Sequence, residues 1–129
     1  MSNPESRAPY DLLGGAEPLS RLVDRFYHHM QTLPEAAETL ALHDDIDRAR
    51  EKLRLFLSGW FGGPSLYIEK YGHPRLRARH MPFAISAKHR DQWMLCMQRA
   101  MDEVVTDPAL KEKLNAAFVQ MATHMINQP

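Results

Sequence analysis

Between Gly59 and Ser86 the chain reads GWFGGPSLYIEKYGHPRLRARHMPFAIS, and within it His80 stands beside Arg75, Arg77 and Arg79 at alternate positions. Imidazole is the commonest metal ligand among side chains, and guanidinium meets carboxylates through two parallel hydrogen bonds. One histidine beside three arginines therefore suits a metal-bearing anionic cofactor. Leu76, Met81, Phe83 and Ile85 are at hand to form an apolar wall. Blander readings carry weight. None of the seven histidines lies in HExxH, and on spacing alone such a residue is most often exposed or satisfied in a half-buried place. The arginines by themselves read as a solvated basic edge, and as a nucleic-acid patch they lack interleaved aromatics.

Two further residues bring polar hydrogens into apolar stripes. Tyr27 and Trp93 belong to two separate amphipathic stretches, where the usual reading is a core side chain whose polar atom finds a backbone partner. Two inward donors and one histidine can also describe a small-molecule pocket. The eight methionines read as gap-filling core, and Cys96 as an inert thiol.

The elements that carry these residues follow from periodicity. Residues 1–9 are polar, hold two prolines and read as a flexible tail, leaving 10–129 as a single domain. Tyr10–Leu13 predicts one turn stopped by Gly14 and Gly15. Leu19, Leu22, Val23, Phe26, Tyr27 and Met30 mark one face of a helix from Glu17 to about Leu33. A shorter helix is expected over 35–42. Asp44 or Asp45 caps the next, whose stripe is Ala49, Leu53, Phe56, Leu57 and Trp60 and whose end is Gly62-Gly63-Pro64. Glycines and prolines then allow only a short, broken helical region around His80. Ser86 caps a long helix bearing Trp93, Met97, Ala100, Met101 and Val104. After Asp107-Pro108 the last helix carries Leu110, Leu114, Ala117, Phe118, Met121 and Met125. No strand-like alternation of useful length interrupts this pattern, so the fold class is all-α.

Composition narrows the function. Among 129 residues, Lys and Arg together number 16 and so do Asp and Glu, so no global field selects nucleic acid or an anionic membrane. One cysteine excludes an internal disulfide, a CxxCH haem attachment and any four-thiolate metal site. No apolar run approaches the roughly 20 residues that span a bilayer. With no signal-peptide core at the N-terminus, the expected location is the cytoplasm.

The blocks YDLLGG at 10–15, RFYHHM at 25–30, REKLRLFLSGWFGGP at 50–64, YGHPRLRARHMPF at 71–83 and RDQWMLCM at 90–97 carry a resemblance. In this order the chain, from Tyr10 to Asn127, resembles the group II truncated haemoglobins. The resemblance implies a two-over-two helical sandwich around a non-covalent b-type haem, with His80 as the proximal iron ligand. Tyr27 and Trp93 match the family's distal tyrosine and group-defining tryptophan. His43 falls at the polar distal position, with Leu42 or Ala41 as alternatives for that slot. Ala49 stands where vertebrate globins carry a distal histidine, followed by Lys52, Leu53 and Phe56. The pocket is expected to include Arg77, Arg79, Met81, Phe83 and Ile85 as well, with Arg77 or Arg79 and Lys52 as candidates for the haem propionates. The implied function is reversible binding of O2, CO and NO at a five-coordinate iron. Several distal donors favour redox chemistry on the bound gas, NO dioxygenation or peroxidase-like turnover, or sensing, over bulk transport. Turnover would need an external reductase, and the assembly is expected to be a monomer or homodimer. The alternative function is a haem-free helical ligand-binding or interaction module.

Overall fold

A proline at the start and a left-handed glycine at the end delimit the first helix of the computed structural model, which describes residues 7–129. Helix α1 runs Pro9–Leu13 and stops at Gly14, whose φ of 113° an L side chain rarely adopts. The expected tail over 1–9 thus ends at the first residue of α1, and residues 1–6 of it lie outside the described residues. The Tyr10 amide donates to the Phe61 carbonyl at 2.9 Å, and its ring lies against Gly63. A Cβ on Gly63 would stand 2.5 Å from that ring. Gly63→Ala is therefore expected to lose about 1–3 kcal/mol through overpacking. The check is a lower urea midpoint at unchanged slope. An unchanged midpoint would show that α1 yields freely.

Four long helices make the body: α2 (Ala16–Thr32), α4 (Ile46–Trp60), α7 (Ala87–Val104) and α8 (Pro108–His124), with α3 the short Ala37–Leu40. Helix α2 pairs with α4, α7 pairs with α8, and the pairs stack through α2 on α7, which is the expected two-over-two sandwich. Every residue of the α2 stripe named from the sequence is buried. Among the described residues there is no strand, and no helix is long and apolar enough to cross a membrane. Phe118 of α8, fully buried, centres an aromatic cluster with its ring 5.1 Å from Trp60, 5.9 Å from Phe61 and 5.6 Å from Trp93. Burial pushes the Cys96 thiol of α7 up to about 11, in keeping with an inert role.

Two stretches differ from the periodic reading. Helix α4 buries Leu55, Leu57 and Ser58, while Ala49, Leu53 and Phe56 are half-buried and Trp60 is exposed. Both α2 and α5 (Leu66–Tyr71) pack on α4, so burial spreads around it, and its Leu53 and Phe56 face a cavity instead of solid core. The expected helix over 35–42 begins as a 3-10 turn, Pro34–Ala36, before α3. Ala36, at φ −101° and ψ 5°, separates the two. Helix α3 is pinned to α7 because Thr39 donates to the Gln92 side-chain oxygen twice, from its amide at 3.0 Å and its hydroxyl at 2.7 Å. As expected, the Asp45 side chain caps α4, accepting from the Arg48 amide at 3.1 Å. Between Gly62 and Ser86 the chain makes only α5 and α6 (Leu76–His80), separated by Gly72 at φ 80° and by Arg75 at φ 48°.

Candidate functional site

Three histidines meet on one cavity of about 210 Å³, where the end of α3, α4, α6, the start of α7 and the end of α8 converge. His43, His80 and His89 share its wall with Trp93 and with apolar side chains that include Leu53, Phe56, Phe83, Ile85 and Met121. A mostly apolar wall with a few convergent polar groups is the ordinary make-up of a small-molecule site.

His80 is oriented by its own helix. Its Nδ1 lies 2.6 Å from the Leu76 carbonyl, one turn earlier. A carbonyl only accepts, so in the neutral ring the proton sits on Nδ1 and Nε2 keeps its lone pair. That is the tautomer a metal ligand needs, and the carbonyl makes the ring the better donor. The chain's last turn fastens this region. Arg77 donates to the carbonyls of His124 and Ile126 at 2.6 and 3.1 Å. Asn127 donates through Nδ2 to Phe83 and His80 carbonyls at 2.9 and 3.3 Å and accepts the Ile85 amide on Oδ1 at 2.9 Å. The sequence reading missed Asn127, because a lone polar residue near the chain end carries no periodic signal.

The other two imidazoles present opposite faces of the same chemistry. His43 directs Nδ1 at the Thr39 carbonyl, 3.0 Å away, so its neutral ring has only an accepting Nε2 left to offer. At His89 the Ser86 amide donates to Nδ1 at 3.1 Å, which leaves the neutral ring's proton on Nε2. Leu42 and His43 both reach the wall, whereas Ala41 is exposed.

Trp93 lies on the wall, its ring packed 4.9 Å from Phe26. Tyr27 stands one layer behind, buried, edge-on to His43 with ring centres 5.9 Å apart. Burial holds its phenol well above the ordinary value, against the pull of the Arg50 charge, so Tyr27 remains a proton donor.

Of the remaining expected pocket residues, Leu53, Phe56, Phe83 and Ile85 line the cavity. Ala49, Lys52, Arg77, Arg79 and Met81 do not, and local geometry explains most of this. Ala49 has only a methyl group and packs against the core. The Lys52 ammonium sits 5.4 Å over the Tyr71 ring. Arg77 is held by the C-terminal carbonyls, and Arg79 donates to the Pro74 carbonyl at 2.6 Å with its guanidinium 5.8 Å over Tyr67. Met81, just past the end of α6, is 56% exposed. The arginine that does line the wall is Arg90, whose guanidinium pairs with Asp91 at 3.0 Å. Arg90 and His89 escaped the sequence reading because the first turn of α7 showed only charged, outward-looking residues.

Comparison with known proteins gives a consistent picture. The pattern described as "Bacterial-like globin" matches residues 8–127. The group 2 truncated hemoglobin YjbI of Bacillus subtilis (strain 168) is 40% identical over 121 residues, 94% of this chain and 89% of that protein. The group II 2-on-2 hemoglobin from Agrobacterium tumefaciens superposes with a TM-score of 0.94 at 42% identity, all of both chains being covered. The cold-adapted truncated hemoglobin from Pseudoalteromonas haloplanktis TAC125 gives 0.93 at 46% identity, covering 95% of this chain and all of that one.

Proposed function

The chain belongs to the bacterial-like globins, as a truncated haemoglobin of group II, and from that premise we propose that it binds O2, CO and NO reversibly at a five-coordinate, non-covalent b-type haem. The observation that carries the reading is the His80 ring, fixed as the Nδ1–H tautomer by the Leu76 carbonyl on the wall of an apolar cavity. Those residues fit a haem: Leu53, Phe56, Phe83 and Ile85 suit the faces of the macrocycle, and Nε2 of His80 suits the iron. When bound, the haem would supply an iron able to accept an imidazole nitrogen and a diatomic gas, and His80 is the residue that would hold it.

The chain's own residues do the rest. His80 holds the iron through Nε2 while its Nδ1–H stays on Leu76. Arg90, which lines the cavity wall as Lys52, Arg77 and Arg79 do not, would be the partner for a propionate in place of its pair with Asp91. Trp93 offers an indole N–H as donor toward a bound gas. Tyr27 contributes a phenol kept protonated by burial. His43, as a neutral ring, offers an acceptor; its part is to orient the neighbouring phenol, and it repels an acceptor oxygen unless protonated. Apolar walls exclude water, which strengthens each of these hydrogen bonds. Such a donor set suits tight retention, and with it redox chemistry on the gas (NO dioxygenation or peroxidase-like turnover, fed by an external reductase) or sensing, more than bulk transport.

Titrating purified protein with hemin tests the cofactor reading. Saturation at one haem per chain with an intense Soret band is expected, and a chain that leaves hemin free would overturn it. O2 dissociation from haem-loaded Trp93→Phe and Tyr27→Phe tests the donors. Each lost donor is worth about 1–2 kcal/mol, so release should quicken roughly tenfold. Trp93 should show the larger effect because it lies on the wall. Wild-type rates in both variants would remove the hydrogen-bonding roles.

A further inference from the structure

Charge in this neutral chain is sharply segregated. Residues 70–90 hold six of the sixteen Lys and Arg and no Asp or Glu, so the remaining residues carry ten cations against sixteen acids. This segment supplies six residues of the cavity wall, Leu76 and His80 among them, so the positive pole and the cavity coincide. Lys70, Arg75, Arg77 and Arg79 have no carboxylate partner among the described residues, nor does Lys52 beside them. Arg77 and Arg79 donate only to carbonyls, which leaves their charge uncancelled. The two propionates of a haem would neutralise two cations at most, so a surplus persists.

Exposed apolar side chains sit among these charges. Ile68 is 53% exposed and Tyr71 38%. An aromatic path leads from the cavity to this surface: Phe56 on the wall, Tyr67 at 6.3 Å, then Tyr71 at 5.0 Å. Both Lys52 and Lys70 place their ammonium groups over the Tyr71 ring, at 5.4 and 5.3 Å. An apolar centre flanked by cations that outnumber its one interleaved acid, Glu69, and lying beside a cofactor cavity, has the make-up of a transient interface for a negatively charged partner.

We propose that the face formed by Lys52, Ile68, Lys70, Tyr71 and Arg75 docks an acidic one-electron carrier protein. The inference rests on the haem reading above. The docked, reduced carrier gives up one electron, which takes ferric iron at His80 to ferrous; the carrier is oxidised by one electron, and no bond or proton need move. Charge complementarity selects this occupant: opposite charge steers the encounter, and the apolar centre needs only a small contact for a short-lived complex.

The test uses haem-loaded protein and an oxidised, acidic two-iron ferredoxin as probe. Calorimetric Kd values are compared for the wild type, for Lys70→Glu/Arg75→Glu, and for Arg99→Glu/Lys113→Glu. The last pair is exposed, lacks ion pairs and lies away from this face, and it makes the same change in net charge. Neither member of the first pair is ion-paired, so both variants should fold and load hemin alike. Binding by the first variant is expected to weaken more than tenfold, and by the second less than twofold. Raising ionic strength from about 0.01 to about 0.15 M, which shortens the Debye length from about 30 to about 8 Å, should weaken wild-type binding as well. Reduction by the reduced ferredoxin should slow in parallel, while reduction by dithionite keeps its wild-type ratio. Equal effects of the two variants, or binding indifferent to salt, would overturn the docking face while leaving the haem reading intact. Tighter selective binding to vesicles containing phosphatidylserine than to ferredoxin would reassign the face to lipid and overturn it too. Failure to load hemin would remove both readings together.

Discussion

Haem-loaded His80→Gly is expected to lose the wild-type Soret band and to hold hemin far more weakly, and added imidazole should restore the band. The reason is local. His80 presents a lone pair fixed by a helix carbonyl one turn away, and its helix is fastened by Arg77 and Asn127. Removing an outer partner of a metal-bound histidine typically costs about 10–100-fold in metal affinity, and removing the ligand itself should cost more. Free imidazole rescues because glycine leaves a space of the ring's own size, whereas a merely structural defect would not respond to it. His43 also presents an open Nε2, so an unchanged spectrum in His80→Gly would move the ligation to His43 or abolish the assignment altogether.

Phe118→Ala is expected to cost about 3–5 kcal/mol of folding stability, read as a fall in the urea midpoint. Phe118 is fully buried and touches Trp60, Phe61 and Trp93 at once, so deletion leaves a cavity that three stiff rings cannot collapse to fill. The effect should reach the site. Trp93 leans on Phe118 from α7 while its other edge lines the cavity, so the indole should lose its fixed orientation and O2 release should quicken even in protein that remains folded. A loss below about 1 kcal/mol would mean that the core repacks around the gap.

Much of this architecture was legible before any coordinates. The stripe of α2 matched burial throughout and that of α8 in part, with Ala117 and Met121 half-buried, because a helix packed along one face shows that face at 3.6-residue intervals. Stop signals at Gly14 and at Gly62-Gly63-Pro64 worked because they act on the backbone locally. Helix α4 was read less well: two neighbours and a cavity share its surface, so no single stripe describes it.

In the site, the division follows the range of the forces involved. The amino-acid order alone determined an all-helical chain with His80 in a softened segment and with Tyr27 and Trp93 on separate inward faces, since periodicity, capping and breakers are set within a few residues. Only the tertiary structure decided that His43 beyond α3, His80 of α6 and Trp93 of α7 share one cavity, and that Arg90 takes the place of Lys52, Arg77 and Arg79 on its wall. It likewise brought Asn127 back against the His80 loop. Those outcomes depend on which side chains from distant parts of the chain arrive together, and nothing in local spacing encodes that.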